Sequence, residues 1–395
     1  MDNDGVLKMR GEIMRKINVL FICHERDING ATRSMLDLIS VLKEKYNFYV
    51  LLRFDNGEVF DEIKRRKIQY FYCPYKWWKT TCTKGKYHIV ARRIKWRFQW
   101  KKQNEMYAEQ VAEKLEPYKI DVIHTNSSVT NFGAELSRKL GCKHIWHIRE
   151  FGIEDFSTYP LVSKKEYYGE INNGSDKVVV ISEALKEKYK KNVSPNKLVR
   201  IYNGVSKNNL YEKTNYNYSA PLTILQSGAI SKAKGQDIAI KAISILNQKG
   251  IKVRLLLAGS GNIEELGIQK SEIPDNVVFL GKVSNLPEIR KKVDIEIVCS
   301  KCEAFGRVTV EAMMSSLLVV GSKSGGTPEL VKENETGLLF ESGNAIQLAD
   351  RIEQVDKQRD ILKKYGNRAY CEAKEFFSIE RCATEIDRLY QEVMR

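Results

Sequence analysis

The chain has 395 residues, of which 43% are hydrophobic and 29% charged, with only 8 Pro and 25 Gly. That length excludes a single small stapled module, and the composition excludes disorder and collagen-like repeats, leaving two large globular domains or three small ones. The formal charge is +15. Residues 1–200 hold 38 basic and 25 acidic side chains against 27 and 25 in residues 201–395, so the excess, and with it any anionic partner surface, belongs to the N-terminal half.

Short apolar runs alternate with helical periods from end to end, the pattern of parallel sheets wrapped by crossover helices. In the first half the runs predict strands at Asn18–Cys23, Phe48–Arg53, Gln69–Cys73, Asp121–His124, Lys143–Ile148, Lys177–Ile181 and Lys197–Tyr202. In the second half they predict Leu222–Ser227, Lys252–Ala258, Asn276–Leu280, Asp294–Cys299, Leu317–Gly321 and Gly337–Phe340. Several are continuously apolar, as strands buried on both faces must be. The reading is α/β: two doubly wound Rossmann-like domains, residues 1–205 and 221–375, facing each other across a cleft. The polar stretch Ser206–Ala220 reads as a hinge, and the strandless remainder ends in a helix over 376–395 expected to pack back towards the N-domain.

Between Lys76 and Lys102 stand ten Lys or Arg residues, no Asp or Glu, and four of the five tryptophans. This segment, 75–102, is expected to meet an anionic membrane surface through Trp77, Trp78, Arg92, Arg93, Trp96 and Trp100. The spacing Ile89, Arg93, Trp96, Trp100 lays one helical face. The alternative is a solvated basic helix whose tryptophans pack on the N-domain. No nucleic-acid recognition module surrounds it, so nucleic acid is not expected. No run reaches the ~18–20 apolar residues of a spanning helix, and none reads as a signal peptide; a cytoplasmic protein, peripheral on the inner face of the cell membrane, is expected.

The chemistry concentrates at Glu303–Glu311, EAFGRVTVE, after one strand and at the start of a helix. Two carboxylates there can reach opposite ends of one ligand, and the amides of Gly306, Arg307 and Val308 can face an anion. Gly30 follows the first strand, Gly228 and Gly259 end strands of the second sheet, and His147 ends a strand on the edge where open α/β sheets bind ligands. Cys299 and Cys302 form a C-x-x-C with no second pair to complete a zinc site, and Asp2-Asn3-Asp4 precedes the first strand; no metal site and no cofactor are expected.

EAFGRVTVEAM, followed by VVGSKSGGTPELV and ETGLLF, resembles the C-terminal signature of the family 4 retaining glycosyltransferases, which have the GT-B fold. NGATRSMLDL, VVVISEALKEKY, IYNGV, KGQDIAIKAI, LLLAGSG and NVVFLGKV extend the resemblance over nearly the whole chain. It implies a nucleotide-sugar donor held mainly by the C-domain, with Glu303 on the transferring sugar, Glu311 on the ribose hydroxyls and Lys234 on the donor phosphates. It places Gly30, Gly228, Gly259, Val283 and Phe305 to Val308 around the donor and His147 near the reacting sugar. Ala229 stands where the family has an arginine, so Lys232, Arg33 or Arg149 would have to supply a second cation, or the helix amides would have to do more. The implied activity is a metal-independent, retaining hexosyltransferase acting on a saccharide hydroxyl, the acceptor expected to be lipid-linked in bacterial capsule or surface-polysaccharide assembly. A GT-B phosphorylase, a sugar-nucleotide epimerase and a non-catalytic nucleotide-sugar-binding protein are the alternatives.

Overall fold

The computed structural model describes residues 15–81, 86–216 and 218–395, the side chains of residues 86 and 209 apart. The Asp2-Asn3-Asp4 motif lies outside them. The strands are β1 (Ile17–Cys23), β2 (Tyr46–Leu52), β3 (Gln69–Tyr72), β4 (Lys79–Thr81), β5 (Val122–Thr125), β6 (Lys143–Ile148), β7 (Thr158–Pro160), β8 (Lys177–Val180) and β9 (Leu198–Arg200), then β10 (Leu222–Ser227), β11 (Val253–Ala258), β12 (Val277–Gly281), β13 (Ile295–Val298), β14 (Leu318–Ser322) and β15 (Gly337–Phe340). Seven form one sheet in the order β3-β2-β1-β5-β6-β8-β9, and six form another in the order β12-β11-β10-β13-β14-β15. Both sheets are parallel throughout.

Every strand expected from the sequence falls in one of these sheets; the central ones are apolar runs closed off on both faces, Val19 to Ile22 and Leu318 to Val320 having no exposed surface, while the edge strands β3 and β12 keep exposed residues. The order reverses beside β1 and beside β10, so each lobe has a topological switch point, the place where open α/β sheets take ligands. What the sequence does not signal is a two-stranded antiparallel ribbon of β4 and β7. β4 reads Lys-Thr-Thr, with no apolar run to mark it.

The chain crosses between the lobes twice. The first crossing and the second are stitched together, Val205 N–H donating to Phe377 O and Ile379 N–H to Val205 O. A Cβ on Gly204 would lie 2.4 Å from the Ile379 Cα, so only glycine lets the two crossings meet. The segment 206–220, expected as a hinge, makes contacts with the C-lobe: Lys213 is buried with its ammonium on the Val293 carbonyl, and Tyr211 N–H donates to Met314 O. The last helix, Ile379–Met394, lies on the N-lobe, where Ile386, Leu389 and Tyr390 join the core around β1. Each such large side chain contributes roughly 1.5–3 kcal/mol, which binds this lobe to the second crossing.

The tryptophans of the basic segment require a correction. Trp78 is 2% exposed, stacks on Trp146 at 5.6 Å and donates from Nε1 to Ser128 O at 2.8 Å. Trp96 is buried in the same core. Indole is large and apolar enough that the lobe takes these rings inside, so neither is a membrane-contact residue. Trp77 and Trp100 are half-buried, the first lying under the Arg53 guanidinium at 4.7 Å.

Candidate active site

The lobes meet where β1, β5 and β6 on one side and β10 and β13 on the other end. On the C-lobe side, Lys234 follows β10 and the loop after β13 carries Glu303. Lys234 Nζ donates to Glu303 Oε1 at 2.5 Å, and Ser300 Oγ donates to the same oxygen at 2.6 Å. Lys234 keeps 31% of its side-chain surface exposed and Glu303 16%, so the pair opens onto solvent. Gly306, at φ 98°, is the N-cap of the helix Arg307–Met313, a conformation that favours glycine.

Glu311, one turn into that helix, is held from behind by Arg290, whose Nη1 donates to Glu311 Oε2 at 3.0 Å. Arg290 has no exposed side chain and also donates to Glu296 Oε2 from Nε at 2.8 Å. Glu296 in turn accepts from Ser227 Oγ at 2.5 Å. Two carboxylates hold the guanidinium charged and raise its pKa in spite of burial. Arg290 begins the run Arg-Lys-Lys, which in the sequence reads as a solvated surface charge; only the fold shows that its first member points inward.

Gly228 and Gly259 form the floor beside Lys234. Gly228 N–H donates to Ala258 O, and a Cβ on Gly259 would sit 1.8 Å from the Gly228 carbonyl oxygen, so the two loops touch through glycine. Val283 is half-buried and Val308 lies at the helix start. Phe305 is buried, its ring 5.9 Å from Tyr202 and 6.0 Å from Phe377, so its side chain packs under the crossings rather than into the cleft. Ala229 is occupied only through its backbone, its carbonyl accepting from Gln236 Nε2. Of the C-x-x-C pair, Cys299 is buried and Cys302 has its thiol pushed up to about 11 by burial, so neither is a reactive thiolate.

On the N-lobe side, Gly30 is the first residue of the helix Gly30–Leu42, behind the N-cap Asn29. His147 is buried, its Nδ1 3.0 Å from His124 Nε2 and 3.3 Å from Arg149 Nη2. His124 Nδ1 lies 2.7 Å from the Tyr390 hydroxyl. Burial, with the Arg149 charge beside them, drives both imidazoles well below their ordinary pKa, so both are neutral. His147 Nε2 is buried with no hydrogen-bond partner among the described residues. Arg149 donates to Asn126 Oδ1 at 2.8 Å and to Asn203 Oδ1, and burial brings its pKa down to about 10. Arg33 and Lys232 play no comparable part in the described hydrogen bonds of their side chains.

Arg307 joins the two sides. Its Nη1 donates to Ser34 Oγ at 2.9 Å and to Gly204 O at 3.1 Å, and its Nη2 stands 3.3 Å from Asp37 Oδ2 and 3.7 Å from Glu311 Oε1. Glu329 makes a second link, accepting the Glu183 and Ala184 amides at 2.7 Å each, at the open end of the helix Glu183–Tyr189. Sequence reasoning missed Arg290, Asn126, Asn203, Asp37 and Glu329. Asn126, Asn203, Asp37 and Glu329 act through partners distant in the chain, whereas Arg290 acts through Glu296, six residues on, and Glu311, 21 residues on.

A family model described as Glycosyltransferase Family 4 matches residues 28–208, and one described as Glycosyl transferases group 1 matches residues 209–371. The chain belongs to this glycosyltransferase family. It is 27% identical over 315 residues, 75% of this chain and 81% of the relative, to the N-acetyl-alpha-D-glucosaminyl L-malate synthase of Bacillus anthracis. It is 24% identical over 378 residues, 91% of this chain and 94% of the relative, to the Campylobacter jejuni GalNAc-alpha-(1->4)-GalNAc-alpha-(1->3)-diNAcBac-PP-undecaprenol alpha-1,4-N-acetyl-D-galactosaminyltransferase. Among solved structures it is similar to Anabaena HepE, described in complex with UDP and glucose, at a TM-score of 0.75 and 19% identity, covering 95% of this chain and all of that one. The two sheets and their facing switch points are thus a GT-B fold, and the family's substrate is a nucleotide-activated sugar.

Proposed function

We propose that this protein is a retaining hexosyltransferase that moves a sugar from a nucleotide-sugar donor to a saccharide hydroxyl. The observation that carries this reading is the pairing of Glu303 with Lys234 at the cleft, in the loop that leads into the helix of Glu311. A diphosphate lying beside Gly306 would draw the Lys234 ammonium towards it, and Glu303 would be left to accept from hydroxyls of the transferring sugar. Glu311, already oriented by Arg290, suits the two vicinal hydroxyls of a ribose. Arg149 is the candidate for the second cation that Ala229 does not supply. His147 fits a place beside the reacting sugar, because a hydroxyl accepting from its Nε2 would give a partner to a buried ring nitrogen that has none among the described residues. The reaction proposed is departure of the diphosphate with front-face attack by the acceptor hydroxyl, whose proton passes to the departing phosphate, without a metal ion.

The acceptor is proposed to be a lipid-linked saccharide of a bacterial surface polysaccharide, at the inner face of the cell membrane. The Campylobacter relative's undecaprenyl-linked acceptor supports that class. HepE makes UDP-sugars the first donors to try. The test is product formation from UDP-, GDP-, ADP- and dTDP-sugars with the anomeric configuration read by NMR. A retained configuration that vanishes in Glu303→Gln supports the proposal. Free sugar phosphate, an altered donor, or equal slow hydrolysis in both proteins would point respectively to a phosphorylase, an epimerase or a non-catalytic binding protein.

A further inference from the structure

The basic segment has a second face, which the active site does not use. Along the helix Lys86–Lys95 and the π-turn Trp96–Trp100, the residues that point inward are Ile89, Trp96 and, in part, Trp100. The outer edge carries Tyr87, Val90, Ile94 and Phe98, exposed by 92, 52, 57 and 76%. Steps of three, four and four residues put them in one line along the helix, an apolar stripe rather than scattered single residues. Arg97, Lys95, Lys101 and Lys102 are exposed beside it, and no carboxylate occurs anywhere from Lys76 to Lys102.

We propose that this stripe docks the N-lobe on an anionic lipid bilayer, with Tyr87, Val90, Ile94 and Phe98 in the headgroup boundary and the flanking cations on lipid phosphates. A second copy would bring like charge against like charge. Nucleic acid offers the cations a partner but gives Val90, Ile94 and Phe98 no apolar layer to enter; a bilayer surface offers both. The face is the opposite of the one the tryptophan spacing suggests, and it is fixed in place: Arg92 Nη1 donates to Thr80 Oγ1 at 2.8 Å and Arg93 Nη2 to Pro160 O at 3.4 Å, one bond to each strand of the β4–β7 ribbon.

The ribbon also sets where the bilayer lies relative to the cleft. β7 follows directly on the helix Ile153–Phe156, where Ile153 and Phe156 are 45 and 59% exposed. This helix begins five residues beyond Ile148, the cleft-facing end of β6, so it is at the rim of the cleft. A membrane under the stripe is therefore next to the site, and a saccharide on a membrane lipid can reach it; this last clause alone rests on the glycosyltransferase proposal.

The experiment is flotation of the full chain with vesicles of phosphatidylcholine alone or mixed with phosphatidylglycerol, at low and high salt. The wild type is expected on the mixed vesicles only, with salt weakening binding. Val90→Ser/Ile94→Ser/Phe98→Ser should weaken it about tenfold or more, with an unchanged melting curve, whereas Met106→Ser, an exposed apolar residue on the next helix, should not. Wild type that ignores the mixed vesicles overturns the proposal, as does a triple variant that binds like wild type, binding that the triple variant loses only to RNA, or a stripe that instead holds a dimer. None of these readouts needs a sugar donor, so the failure of this proposal and that of the enzymatic one are separate results.

Discussion

Both lobes end their central strands at the same cleft, yet they bring charge to it in opposite ways. On the C-lobe side the carboxylates are met by cations: Glu303 by Lys234, and Glu311 and Glu296 together by Arg290. On the N-lobe side the central cation, Arg149, is met by the amide oxygens of Asn126 and Asn203, and the imidazoles beside it are neutral. The C-lobe site is thus oriented by paired charge, while the N-lobe leaves a buried guanidinium hydrogen-bonded to amide oxygens, the Glu150 carboxylate acting on it without an ion pair among the described residues. An anion entering between them gains most from the N-lobe cation and from Lys234, which is the more exposed and hence the more movable member of its pair.

The strongest way to break this contrast is at Glu303. Glu303→Gln removes the charge and keeps the shape, and the account expects turnover to fall by roughly 10²–10³ while the melting temperature holds. Arg290→Met is expected to act in the reverse manner, through stability: it leaves Glu296 buried without its cation, and urea unfolding should show a loss of about 3–5 kcal/mol. If Arg290→Met instead leaves stability unchanged, the paired-charge description of the C-lobe is wrong.

The N-lobe is expected to be the acid-sensitive half. In the unfolded chain His124 and His147 bind protons near the ordinary value of about 6.5, whereas in the fold their pKa values are pressed well below it. His144, held on the Gly174 carbonyl, is brought down to about 4. The unfolded state therefore takes up more protons as pH falls below about 6.5, and stability drops by about 1.4 kcal/mol per pH unit for each such imidazole, with no effect above neutrality. Urea midpoints from pH 8 to 5 should show this fall, and His147→Gln should make it shallower by one proton. The smallest effect is expected at the lobe contact. Asp37→Asn loosens a partly exposed pair with Arg307 and should cost at most about 1 kcal/mol, although small-angle scattering should show a wider distribution of lobe separations.

The strands and the EAFGRVTVE segment were legible because their signal is local: a buried parallel strand is a run of apolar residues, and a loop-to-helix carboxylate pair sits within one stretch. What was not legible depends on which partners the fold brings together. Arg290 looks like one of three surface cations until Glu296 and Glu311 close on it. The direction of the helix at 86–95 is undetermined by composition, since tryptophan and arginine suit either a core edge or an interface; Trp78 and Trp96 go inside because the lobe has room beside Trp146, and the smaller apolar residues are left outside. The contacts of the expected hinge were not legible for a related reason. A polar, aperiodic segment such as Ser206–Ala220 carries no mark of whether it is free, and Lys213 and Tyr211 tie it to the C-lobe.

The central claim is that a nucleoside diphosphate binds between these unlike halves, beside Lys234. Isothermal titration of UDP into the wild type and into Lys234→Ala tests it without any acceptor. The account predicts a single site in the wild type and an affinity at least about tenfold weaker in the variant, a difference of about 1.4 kcal/mol. Equal affinity in the two proteins, or no heat with any of the four nucleoside diphosphates in the wild type, would contradict it.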